Sequence, residues 1–152
     1  MHWPLGKIIS GGQTGADRAG LIAGWQLGYP TGGAVPRGCR TENGADRSLV
    51  DQFGCHESVS SRYDVRTLDN IMASTGTVIF GQIAETGSSL TLNLCRTWRP
   101  EKWLVNPTAE ELRRWVVDQS IGILNAAGNR ESKNPGIYAR VVALLTTALV
   151  RP

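Results

Sequence analysis

A short apolar run that breaks into glycines and then resumes as a helix restricts a chain more than its overall composition does, and such a unit stands near the start. Lys7-Ile8-Ile9-Ser10 reads as a strand, Ser10-Gly11-Gly12-Gln13-Thr14-Gly15-Ala16-Asp17-Arg18 as a tight loop, and about Asp17 to Leu27 as a helix. Glycines let backbone amides approach a ligand closely, and the first turn of a helix leaves N–H donors unpaired at its positive end. The unit therefore points to an anion site on a strand-to-helix crossing. Along the helix, Leu21, Trp25 and Gly28 are spaced for one packed side and a terminus, while Ala19, Ala23 and Gly24 permit close approach.

The same alternation recurs downstream. Ser58 or Ser60 can cap a helix running through Tyr63, Leu68, Ile71 and Met72, and Thr77-Val78-Ile79-Phe80 reads as a buried strand ending at Gly81. Glu85-Thr86-Gly87-Ser88-Ser89 then leads into Leu90, Leu92, Leu94 and Cys95, again a small polar loop before a helix. Trp103 to Asn106 reads as a strand, Pro107 with Thr108-Ala109-Glu110-Glu111 as a helix entrance, Ile121 to Asn125 as another strand, and Ile137, Val141, Leu144 and Leu145 as a last helix. This alternation predicts a single three-layer, Rossmann-like α/β domain over residues 1–152 with a mostly parallel sheet. Loops at the carboxyl ends of such strands converge on one crevice, so Gly11 to Arg18 and Glu85 to Ser88 are expected to face one ligand. The turn-rich segment from Pro30 to Gly44 is expected to cross over that crevice.

Charge and cysteine usage narrow the partners. The formal charge is only +3, the basic residues are scattered, and the tryptophans do not interleave with them as a stacking platform requires; an anionic small molecule is expected and nucleic acid is not. No apolar stretch has the length of a membrane span, and the first residues lack the pattern of a secretory signal. Cys39, Cys55 and Cys95 are odd in number and widely spaced, which suits a reducing cytoplasm, with one or two thiols buried and another partly exposed, and no zinc motif is present.

The polar residues suggest binding more than catalysis. Gln13 and Thr14 can add side-chain hydrogen bonds to an anion, Arg18 can neutralise it, and Asp17 can either cap the helix or organise the loop. Arg37 and Arg40 either offer guanidinium donors to an oxyanion or stay solvated. Tyr63, Arg66, Thr67 and Asn70 share one helical side, which leaves Arg66 to meet a ligand or to form an internal salt bridge; Asp64 and Asp69 fall on different faces. Ser88 can hold phosphate, and Glu85 can contact a sugar hydroxyl, a pterin amide or a water. Neither His2 nor His56 belongs to a nucleophile or metal set, so no catalytic or metal-ligating group is expected. Trp25, Trp98, Trp103 and Trp115 are expected in packing or interfaces, and Asn125 and Asn129 either complete the crevice or form turns.

Together, Ser10-Gly-Gly-Gln-Thr-Gly-Ala-Asp-Arg18, Thr31-Gly-Gly33, Pro36-Arg-Gly38, Arg40, Tyr63-x-x-Arg-Thr67 and Thr75-Gly-Thr-Val78 resemble the molybdenum cofactor carrier family. That resemblance implies a small Rossmann-type domain related to lysine decarboxylase-like phosphoribohydrolases, with molybdenum cofactor as bound cargo. It also implies a homo-oligomer, dimer or tetramer, that exchanges cargo with molybdenum enzymes or cofactor-synthesis proteins. Carried onto this chain, it favours Gly11, Gly12, Gln13, Thr14, Gly15, Asp17 and Arg18 around an anionic group, with Arg37, Arg40, Arg66, Glu85, Thr86, Gly87 and Ser88 as further contacts. The hydrolases' Pro-Gly-Gly-x-Gly-Thr loop is absent, and Gly81-Gln82-Ile83-Ala84-Glu85-Thr86-Gly87 stands in its region. A carrier is therefore expected ahead of two alternatives, a nucleoside monophosphate phosphoribohydrolase and a nucleotide-sensing module.

Overall fold

A computed structural model describes residues 2–60, 62–83 and 88–152. Glu85, Thr86 and Gly87 lie outside the described residues, and Ser88 opens a helix. The chain starts with strand β1 (Lys7–Ser10), helix α1 (Ala16–Gln26) and strand β2 (Thr31–Gly32). An excursion follows, made of β3 (Ala34–Val35), β4 (Arg40–Thr41), β5 (Gly44–Ala45), α2 (Ser48–Asp51) and β6 (His56–Glu57). The second half runs through α3 (Tyr63–Ala73), β7 (Gly76–Phe80), α4 (Ser88–Trp98), β8 (Trp103–Val105), α5 (Ala109–Asp118), β9 (Ile123–Gly128) and α6 (Ile137–Ala148).

The main sheet has five strands in the order β2-β1-β9-β7-β8, and every pairing is parallel. β7 is buried at each of its residues, as a central parallel strand with helices on both faces must be. The last strand of the chain is inserted at the centre of the sheet. Counted cyclically from β9, the order becomes 3-2-1-4-5, that of a doubly wound nucleotide-binding sheet without its sixth strand. The topological switch in that order falls between β9 and β7, so the crevice expected of such a fold opens beyond their carboxyl ends.

On one face of the sheet α1, α5 and α6 bury Ala19, Ala23, Leu112, Val116, Val141 and Leu145 against Ile8, Val78, Leu124 and Ala126. α1 approaches closely because it presents small residues: a Cβ on Gly20 would lie 2.5 Å from that of Ala126, and one on Gly24 2.9 Å from the Thr31 methyl. Trp25, expected on the packed side, instead turns outward at 54% exposure, because the Ala/Gly stripe leaves no depth for an indole there. On the other face, α3 and α4 close over Ile71, Ile79 and Cys95. A third cluster, Leu21, Val35, Cys39, Leu49, Phe53 and Cys55, seats the excursion against α1. All three thiols are buried, where one partly exposed thiol was expected.

Local signals are met at the helix ends with one exception. Thr108 caps α5 by accepting from Glu111 N–H at 3.1 Å while Glu111 accepts back from Thr108 N–H at 3.2 Å, the capping box that the sequence announces. Neither Ser58 nor Ser60 caps α3. Their hydroxyls accept from the backbone of Ser60 and Arg62 and shape the turn that precedes the helix, whose cap residue is Arg62. The final strand begins two positions later than Ile121 suggests because Ile121 is used as buried filling below α5.

Candidate functional site

Three connections meet at the carboxyl ends of β1, β9 and β7. Gly15, at φ 78°, lets the glycine loop touch the end of β9: a Cβ there would lie 2.3 Å from the Asn129 carbonyl oxygen, to which Ala16 N–H donates at 3.1 Å. The buried Asn129 amide accepts from Gln82 N–H at 2.7 Å and so ties in the chain leaving β7. Asn125, on β9, donates to Thr77 at 3.3 Å across the sheet. Both asparagines, left open between crevice and turn, sit at this junction.

The glycine loop is held by its own side chains. Ser10 Oγ accepts from Gly12 N–H at 3.2 Å, Asp17 Oδ2 from Gln13 N–H at 3.2 Å, and Gln13 Oε1 from Thr14 N–H at 3.0 Å. These donors are therefore turned to internal acceptors, and Asp17 organises the loop instead of capping α1, whose cap residue is Gly15.

Arg66 is brought to this loop by α3, which is itself pinned to the excursion. Asn70 accepts from Ala34 N–H at 2.7 Å and donates to Ala34 O at 2.9 Å. Arg66 is only 4% exposed, its guanidinium carbon lies 4.3 Å from the centre of the Tyr63 ring, and Nη1 stands 3.8 Å from Asp17 Oδ2. That ion pair is longer than a hydrogen bond, and among the described residues Nε of Arg66 has no hydrogen-bond partner. Gly11 provides the space, since a Cβ there would lie 1.5 Å from Nη1. Burial pushes the Asp17 carboxyl up to about 6, against the opposing pulls of the Arg66 charge and the Gln13 N–H. Tyr63, Thr67, Asn70, Thr91 and Asn125 complete the wall of this recess, whose interior of about 20 Å³ is the size of a single water site.

A larger recess of about 510 Å³ shares the loop through Gly12, Thr14, Gly15 and Arg18, and is closed by the β4–β5 hairpin, Glu131 and Tyr138. Arg18 does not project freely into it. Nη1 donates to Asp46 at 2.5 Å and to Ser48 at 3.0 Å, and the guanidinium lies 4.8 Å from the centre of the Phe53 ring. The hairpin is fastened by Glu42, whose carboxylate accepts from the hydroxyls of Thr14 and Ser132 and from Ser132 N–H at 3.1 Å. Hydrogen bonds from Ser132 and Thr14 hold the Glu42 carboxyl below its usual value. The sequence offers no sign of this latch, because the partners stand 28 and 90 positions away.

Residues 8–149 match the model of the circularly permutated YpsA SLOG family. The chain belongs to that family. The permutation is legible in the sheet, where the last strand occupies the place of the first. A solved structure from Syntrophus aciditrophicus SB, named "Putative molybdenum carrier protein", is 35% identical over 96% of this chain and 96% of its own, with a TM-score of 0.86. Among the curated proteins there is no match. In this YpsA-type SLOG chain, Gly11, Asp17 and Arg66 are gathered at one recess and Gly12, Thr14, Gly15 and Arg18 at the other, with the Gln13 carboxamide between them in the loop. Arg37 and Arg40 are exposed and line neither recess.

Proposed function

We propose that this chain binds molybdenum cofactor as cargo, holds its phosphate near Arg66 at the crevice beyond β9 and β7, and shields the remainder of the molecule. The observation that carries the reading is the Arg66 guanidinium itself, buried behind Gly11 with, among the described residues, Nε unpartnered and the Asp17 carboxylate beyond hydrogen-bond length. A buried cation left short of acceptors is costly, and an arriving oxyanion supplies acceptors in the planar geometry that a guanidinium matches. The interior of the recess is too small for a phosphoryl group, so the anion meets Arg66 at the mouth, beside the half-exposed Tyr63 ring. The likeness to the Syntrophus carrier supports the choice of cargo. The metal would travel on its own dithiolene, so no protein ligand set is required.

Homo-oligomerisation, cytoplasmic location and exchange with molybdenum enzymes or cofactor-synthesis proteins belong to the same proposal. Glu85, on which cleavage of a phosphoribosylated nucleotide would depend, lies outside the described residues, and no observation favours that reading. Titration of purified molybdenum cofactor against Arg66→Lys tests the assignment. Losing the planar fork while keeping the charge should weaken binding about tenfold or more. Unchanged affinity in a variant with wild-type thermal stability removes Arg66 from the site.

A further inference from the structure

We infer that the 510 Å³ recess between the glycine loop, the β4–β5 hairpin and the start of α6 receives a flat heterocycle with adjacent N–H donors, recognised by the Glu131 carboxylate and the Tyr138 ring. Its volume lies within the usual range of small-molecule pockets. Its charge argues against a second anion. Arg18 is neutralised by Asp46, and Asp46 in turn is filled by Arg18 and Ser48. Glu131 is different: among the described residues its two oxygens accept only from the backbone N–H groups of Tyr138 at 3.0 Å and Gly136 at 2.6 Å, and no ion pair engages it. A carboxylate has about four acceptor positions, so each oxygen retains one for a ligand donor.

The ligand chemistry follows from that acceptor pair. A 2-amino-4-oxopyrimidine ring, the edge shared by pterins and guanines, presents two neighbouring N–H groups that a carboxylate accepts side by side. Tyr138, half-buried in the wall, offers an aromatic surface for such a ring, while Gly12, Gly15, Gly44 and Ala45 keep the opposite walls shallow. The latch at Glu42 fixes the hairpin that closes this space. The inference rests on the carrier reading only in taking the pterin of the cargo as the natural source of this edge; guanine is the other source.

Three probes separate the possibilities: 6-hydroxymethylpterin, guanosine and inorganic phosphate, each titrated into ¹⁵N-labelled protein. Pterin should shift the amides of Gly15, Asn43, Gly136 and Ala139, and phosphate those around Gly11 and Arg66. Ala139→Trp, at an exposed position on the recess wall, should abolish the pterin shifts and leave the phosphate shifts intact. Tyr138→Leu should weaken pterin about two- to tenfold. Shifts from guanosine equal to those from pterin uphold the edge and assign it to either source. The inference is overturned if neither heterocycle moves these amides, or if Ala139→Trp leaves the pterin shifts unchanged. Heterocycle binding without phosphate binding upholds the inference while overturning the phosphate role of Arg66, and the reverse result does the opposite.

Discussion

Asp17→Asn should stabilise the protein at neutral pH and leave it almost unchanged in acid. The Asp17 carboxyl is buried between the glycine loop and Arg66, and burial raises it from 3.8 to about 6. A difference of about two units is worth roughly 3 kcal/mol between its protonation states. Because the folded value lies above the unfolded one, the folded chain binds more protons between these values, and stability falls as pH rises through that window. The favourable contribution is complete below about pH 4 and gone above about pH 6 to 7. Asparagine is neutral at every pH and keeps an acceptor for the Gln13 N–H. Urea unfolding at pH 4, 5, 6 and 7.5 should therefore give a variant-minus-wild-type difference that grows from near zero to about 3 kcal/mol. Groups unrelated to Asp17 titrate in both proteins and cancel in that difference. A flat difference, or a variant less stable than wild type at pH 7.5, would refute the reasoning by showing that Arg66 needs the Asp17 charge more than burial resists it.

Gly11→Ala places a Cβ 1.5 Å from Arg66 Nη1, so the guanidinium must move; a loss of about 1–3 kcal/mol in chemical denaturation and weakened phosphate binding are expected. Thr108→Ala removes the capping box of α5, far from either recess in sequence and lining neither, and should lower stability by about 1 kcal/mol with ligand binding unchanged. Phosphate arriving at Arg66 should raise Asp17 further, so calorimetric titrations at pH 7 in buffers of different ionisation enthalpy should register more proton uptake in wild type than in Asp17→Asn, the phosphate's own ionisation being common to both.

The fold was legible because its signals are local. The apolar run of β7, the small-residue stripe of α1 and the Pro107-Thr108 entrance to α5 each state their element within a few residues. The side of α3 that carries Tyr63, Arg66, Thr67 and Asn70 was readable for the same reason, since helical spacing alone brings those residues together. The strand order was not. Inserting β9 between β1 and β7 depends on pairing across 116 residues on one side and 48 on the other, about which periodicity is silent. The same limit hid the β3–β6 pairing and the Glu42 latch, whose contacts are with Thr14 and Ser132, while β4 and β5 are too short to show a period. A different limit concealed that the loop amides of Gly12, Gln13 and Thr14 are occupied from within: a glycine-rich sequence reveals that amides can approach a ligand but not where its neighbouring side chains turn.

Two local conflicts at the junction of α1 and α3 have one common resolution. Arg66 Nε is buried without an acceptor among the described residues, and the carboxyl of Asp17 is forced toward neutrality beside that same guanidinium. Each costs stability, and folded proteins keep such conflicts mainly where function requires them. Asp17 Oδ2, the oxygen nearest Arg66, already accepts from Gln13 N–H and so holds the glycine loop. The proposed oxyanion would leave that bond in place: it would give the Arg66 guanidinium acceptors, and the added negative charge would let Asp17 take a proton while its oxygen still serves the loop. In the proposed binding mode Asp17 would act as the counter-ion of Arg66 and yield that role to the ligand, so that binding would be coupled to proton uptake and release favoured as pH rises through about 6.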